Sequence, residues 1–167
     1  FNPTYTTQKD DSAWSPRLAL FGDLGYTNDQ LLSFLPEESA ARAVDAIVLY
    51  GDMVYWPNGE SENSFMRDVQ TLSANGSVPF HVSPGNGDSG GNFSIYRGDF
   101  HMPSEEENDS LYHAFSIGPA RVVGVSTEVF YYQSEVVQRR MLEWFENELH
   151  EANRVENRLA RPWILVH

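Results

Sequence analysis

Ala46-Ile47-Val48-Leu49-Tyr50-Gly51-Asp52-Met53-Val54-Tyr55 carries the plainest structural signal in the chain. Five residues suited to a buried strand run directly into Gly-Asp, so the backbone must leave a hydrophobic interior and turn at a carboxylate. The same grammar recurs on either side. Arg17 to Phe21 leads into Gly22-Asp23, and Pro79 to Val82 leads within a few residues into Gly85-Asn86. Successive turns lie about 30 residues apart, the length of a strand-helix-strand unit. Helical patterns fill the intervals: Ser61 to Ala74 places Phe65, Met66, Val69 and Leu72 at helical spacing, and Pro36 to Val44 is rich in helix formers with proline near its start. Alternating strands and helices imply a largely parallel sheet, an α/β fold.

In such sheets ligands bind beyond the carboxyl ends of the strands, where consecutive crossovers set the turns side by side. Asp23, Asp52 and Asn86 are thereby expected at one site. Taken singly, Gly-Asp and Gly-Asn are ordinary turn dipeptides, and the bland reading of any one of them is the stronger. Three in phase with three strands argue for chemistry. Two carboxylates and an amide oxygen are hard ligands suited to manganese, zinc or iron, and the two oxygens of Asp52 can bridge two ions. Tyr55, three residues after Asp52, can add a phenolate.

Beyond the Gly/Ser-rich loop of Ser83 to Asn92 the pattern changes. Leu111 to Ile117 and Ala120 to Ser126, joined at Gly118-Pro119, read as an antiparallel hairpin. A long amphipathic helix follows, from about Ser134 to Asn153. Its stripe of Val137, Met141, Trp144, Phe145, Leu149 and Ala152 faces the sheet, and Arg139, Arg140, Glu143, Glu146 and Glu151 face water. Pro162 to Val166 reads as a buried strand cut short at His167, and the chain opens on Phe1 rather than Met. The expectation is a piece of a longer protein, with residues 1–15 a lead-in and 16–167 the front part of a catalytic domain.

At 167 residues, with 41% hydrophobic and 13% aromatic content, the chain can bury a real core. No apolar run approaches the length of a membrane-spanning helix. The formal charge of −13 opposes nucleic acid. It would repel a small phosphate ester as well, so phosphate chemistry here requires cations held locally. The chain has no cysteine, which excludes disulfides and thiolate ligands within it. Sequons at Asn75, Asn92 and Asn108 support a secreted or lysosomal glycoprotein.

Gly22-Asp23-Leu24-Gly25, Gly51-Asp52-Met53-Val54-Tyr55 and Gly85-Asn86-Gly87-Asp88 resemble, in order, the first three blocks of the metallophosphoesterases. The tyrosine at position 55 makes the resemblance one to the purple acid phosphatases. It extends through Asn92-Phe93-Ser94, Phe100-His101-Met102-Pro103, Gly118-Pro119-Ala120, Ser126-Thr127-Glu128 and Arg161-Pro162-Trp163-Ile164. The resemblance implies a metallophosphoesterase-type β-sandwich flanked by helices, incomplete in this chain. It also implies hydrolysis of phosphate monoesters at acidic pH, with a metal-bound hydroxide attacking phosphorus at a centre of Fe(III) and divalent iron, zinc or manganese.

In that scheme Asp23 and Tyr55 bind the ferric ion, Asp52 bridges, and Asn86 binds the divalent ion. The family's histidine ligands follow the Pro-Trp-Ile strand, outside this chain, so a downstream segment or a second chain is the expected partner that completes the site; a homodimer is also compatible. His167 is assigned no ligand role. The departure of most consequence is Gly87, which stands where the family has a histidine that contacts substrate phosphate. No catalytic residue is therefore assigned within the chain, and the alternative is a weakened or inactive phosphatase-like protein that only binds metal or ligand.

Of the other histidines, His81 is expected to be partly buried and hydrogen-bonded, while His101, His113 and His150 are read as loop, hairpin and helix-surface residues. Glu105-Glu106-Glu107 lacks the ligand spacing of a calcium loop and reads as a solvated turn. Trp14, Trp56 and Tyr131-Tyr132 read as core or rim packing.

Overall fold

The structure is a computed structural model that describes residues 14–24, 29–53, 60–74, 77–103 and 110–167. Tyr55, Trp56, the sequons at Asn75 and Asn108 and the run Glu105-Glu106-Glu107 lie outside the described residues.

The elements run β1 (Leu18–Phe21), α1 (Asp29–Leu32), α2 (Leu35–Ala40), β2 (Ala46–Tyr50), α3 (Glu60–Leu72), β3 (Phe80–Ser83), a 3-10 turn (Asn86–Asp88), α4 (Gly90–Asp99), β4 (Tyr112–Ile117), β5 (Ala120–Val125), α5 (Val129–Tyr132), α6 (Glu135–Asn153), α7 (Val155–Ala160) and β6 (Trp163–Val166). They form two compact units, residues 17–96 and residues 97–167, the latter joined by the segment ending at Pro16.

The first unit holds a parallel three-stranded sheet in the order β1-β2-β3. Ala46, Ile47, Val48 and Leu49 of its central strand have no exposure at all. A strand buried on both faces is what a parallel sheet demands, and it explains why β2 reads as an unbroken apolar run rather than an alternating one. Phe21 pairs with Leu49, and Tyr50 with Ser83, so all three strands end at one level on one edge.

In the second unit β4 and β5 form the expected hairpin, and β6 adds in parallel to β5. Helix α6 lies against one face of this sheet. Tyr112 of β4 packs on Trp144 with ring centroids 4.8 Å apart, and Arg121 of β5 pairs with Glu148 at 2.6 Å. Met141 is buried. The expected wet face, Arg139, Arg140, Glu143, Glu146 and Glu151, is exposed throughout.

Three expectations are corrected. The strand expected to be buried after Pro162 forms as β6, paired with β5, but Trp163 is 68% exposed and Val166 46%. The loop expected over Ser83 to Asn92 closes into the 3-10 turn and α4, within which Gly91, Asn92 and Phe93 take left-handed backbone angles. The helix expected over Pro36 to Val44 is α2, which ends at Ala40. His113 lies on β4 of the hairpin as expected, and is fully buried there.

The burial of His113 has a register behind it. His113 pairs with Gly124 across β4 and β5, and His167 lies beside the same glycine at the end of β6. A Cβ on Gly124 would come within 2.8 Å of His113 Cε1 and 2.9 Å of His167 Nε2. The missing side chain is what admits both imidazoles, which meet edge to face at 5.9 Å between centroids. Burial lowers the pKa of His167 from 6.5 to about 4, because the charged ring would be stripped of water. The unfolded chain therefore binds more protons than the folded one between pH 6.5 and 4, so stability is full above about 6.5 and falls as the pH drops toward 4. The loss expected from this group is at most about 3 kcal/mol, to be read as urea midpoints at pH 7.5, 6 and 5. His167→Gln should flatten that dependence, and an unchanged slope would count against it.

Candidate metal centre

The edge on which β1, β2 and β3 end presents the three turns together. Leaving β1, Asp23 takes a left-handed φ of 52°; leaving β2, Gly51 and Asp52 take 96° and 56°. Left-handed backbone is uncommon outside glycine, though aspartate tolerates it better than most residues. Its appearance at both candidate carboxylates means that each strand turns sharply as it leaves the sheet. The ladder closes over the turns as well: Asp23 N–H donates to Gly51 O at 3.1 Å, and Gly51 N–H to Ser83 O at 2.9 Å.

Asp52 and the Asn86 turn are in direct contact. Asp52 Oδ1 accepts the N–H of Gly87 at 2.7 Å, and the carboxylate lies against Gly85. A Cβ at position 85 would collide with Asp52 Oδ1, come within 2.7 Å of Asp52 N and stand 2.9 Å from Gly51 Cα. Glycine here is a requirement of close approach, because any side chain would fill the space the carboxylate occupies.

Asp52 is 9% exposed, whereas Asp23 and Asn86 are exposed. The edge thus offers one nearly buried carboxylate with an exposed carboxylate and an exposed amide on the neighbouring turns. Oxygen donors of this kind suit hard or borderline divalent and trivalent cations. Among the described residues, no three His, Cys, Asp or Glu side chains gather in a way that would hold an ion unaided. The donor chemistry fits a metal, and the donor count requires ligands from outside this set.

In the sequence Asp88 is only the last residue of a matching block, yet in the structure its carboxylate collects three main-chain N–H groups. Oδ2 accepts that of Gly85 at 2.8 Å and that of Asp52 at 2.9 Å, and Oδ1 accepts that of Met53 at 2.9 Å. Asp three residues after Gly85 and next to a Gly-Asn-Gly turn is the available signal, since short acidic side chains take up turn amides. Nearby, Tyr96 is buried and donates to Val82 O at 3.3 Å. Burial, and after it the charge of Asp88, hold the phenol well above its ordinary pKa. His81 is buried on β3 at 1% exposure.

A family model described as calcineurin-like phosphoesterase matches residues 16–167. An acid phosphatase type 7 of Danio rerio is 40% identical over 168 residues, covering 97% of this chain and 37% of that protein. The protein of the same name in Homo sapiens is 37% identical over 164 residues, covering 95% of this chain and 36% of that one. The chain spans a little over a third of the length of these relatives. The solved structure of a purple acid phosphatase from yellow lupin seeds superposes on 94% of this chain and 30% of its own, with a TM-score of 0.71 at 18% identity.

Gly85→Ala should destabilise the protein by about 1–3 kcal/mol, the usual cost of forcing a methyl group into filled space. It should also displace the Asp52 carboxylate. Denaturant midpoints measure the first effect, and loss of divalent-cation binding in the refolded variant measures the second.

Proposed function

The chain belongs to the calcineurin-like phosphoesterase family, and from that we propose that it is the front part of an acid phosphatase domain hydrolysing phosphate monoesters with two metal ions. Three oxygen-bearing turns on one sheet edge, two of them in left-handed backbone at aspartate, are the observation that supports this most. Asp23, Asp52, Asn86 and Tyr55 are the proposed protein donors, Asp52 the bridging one, with the remaining ligands supplied by polypeptide beyond His167 or by a second chain. The proposed pair is ferric iron with divalent iron, zinc or manganese.

When bound, the cations supply positive charge against the phosphate ester and Lewis acidity toward its oxygens. The chain's own residues hold and orient them. Asp52 is oriented at Oδ1 by the Gly87 N–H, and the exposed Asp23 and Asn86 can meet an ion without first giving up burial. A surface of charge −13 repels the substrate everywhere else, so binding is confined to the place where cations reverse the sign.

Gly87 favours a second reading. It brings no side chain to the turn, so it neither contacts phosphate nor passes a proton to the leaving oxygen, and a protein that keeps its metals while turning over slowly is the alternative. A secreted or lysosomal setting is part of the proposal, supported by the sequons and by the exposure of Asn92.

The test is turnover of p-nitrophenyl phosphate by the whole natural protein and by two variants. Asp52→Asn should abolish it. Gly87→His should raise kcat by ~10²-fold or more if the absent acid limits the rate, with metal content unchanged. Metal content without turnover in either form would favour the binding reading.

A further inference from the structure

We propose that Asp88 is a positioning residue of the metal centre, locking the Asp52 turn to the Asn86 turn so that both donors are held before any ion arrives. The inference rests on the metal-binding reading of this edge.

Two features set Asp88 apart from the carboxylates around it. Both of its oxygens accept main-chain N–H groups, from Gly85, Asp52 and Met53, so it is an anchor where Asp52 is a donor to an ion. The lock is also reciprocal. Asp52 gives its own N–H to the Asp88 carboxylate at 2.9 Å, and the carboxylate of Asp52 takes the N–H of Gly87, the residue before Asp88, at 2.7 Å. Backbone and side chain of Asp52 are therefore fixed from the same 3-10 turn.

Asp52 sits in left-handed backbone, so its N–H has left the sheet ladder and needs another acceptor. A carboxylate supplies one through charge-assisted bonds, about twice as strong as neutral ones. Asparagine at 88 would keep one acceptor oxygen and turn an NH2 group toward amides that are themselves donors. Glutamate would keep the charge and push it out by one methylene, past the three N–H groups it must meet.

The experiment measures Mn2+ and Zn2+ affinity of the whole natural protein by equilibrium dialysis, with the EPR spectrum of bound Mn2+ as a report on ligand geometry. Asp88→Asn should weaken binding by about 10- to 100-fold, the usual cost of removing a partner that orients a ligand, and should alter the Mn2+ spectrum. Asp88→Glu should show a smaller loss. Met141→Ala, a core change in the other unit, should lower the melting temperature and leave affinity and spectrum unchanged. Asp88→Asn binding as wild type does, or losing no more than a Met141→Ala protein of equal stability, overturns the role. If Asp88→Asn does not fold, Asp88→Glu decides, and wild-type affinity with an unaltered spectrum overturns it. Failure of the wild type to bind either ion overturns the metal-centre reading itself, and the role of Asp88 with it.

Discussion

A strand buried on both faces must release its chain within a residue or two of the sheet edge, and every N–H freed in the turn must find an acceptor at once. That constraint organises the first unit. β2 has no exposed side chain from Ala46 to Leu49, so the chain cannot drift outward along the strand and swings instead through Gly51 and Asp52 in left-handed backbone. Each left-handed residue outside glycine costs about 1–2 kcal/mol. The cost is offset by the bonds that the turn makes possible, from Gly51 to Ser83 O, from Asp23 to Gly51 O, and from Gly85, Asp52 and Met53 to Asp88. Side chains that serve an ion well are thus held by a backbone arrangement that the sheet itself requires.

Charge imposes the second constraint. With 24 acidic and 11 basic residues, no broad field draws a phosphate ester in. For the proposed phosphate-ester substrate, a binding site would be a local inversion of sign, which oxygen donors achieve when they hold cations. The two carboxylates differ in what they bring to it. Nearly buried Asp52 is held by an N–H group and sets the geometry, while exposed Asp23 remains accessible from solvent.

How far this is legible from residues alone varies with the length of the pattern. The ends of β2 follow from the sequence, and those of α6 to within a residue, because an unbroken apolar run and a five-turn stripe each dominate local propensity. Phase with the strands is enough to place Asp23, Asp52 and Asn86 at one edge. Helix α4 escapes because Gly90-Gly91-Asn92 looks like loop, and the left-handed stretch inside it has no periodic signature. The exposure of Trp163 and Val166 in β6 escapes because an apolar run reads alike whether one neighbour covers it or two. The bonds of Asp88 escape for a similar reason: which N–H groups a turn aspartate collects depends on tertiary contact with a strand end some 35 residues earlier.

Position 87 shows how little the turn's geometry depends on a side chain there. What residue 87 contributes to the geometry is its N–H on Asp52 Oδ1, a main-chain bond that any amino acid except proline can make. The Asp88 carboxylate likewise acts on main-chain N–H groups. In the proposed function, holding an ion falls to oxygen donors fixed by main-chain bonds, so a glycine at 87 leaves that arrangement intact. Under the proposed function, metal affinity and turnover would therefore vary independently at this position.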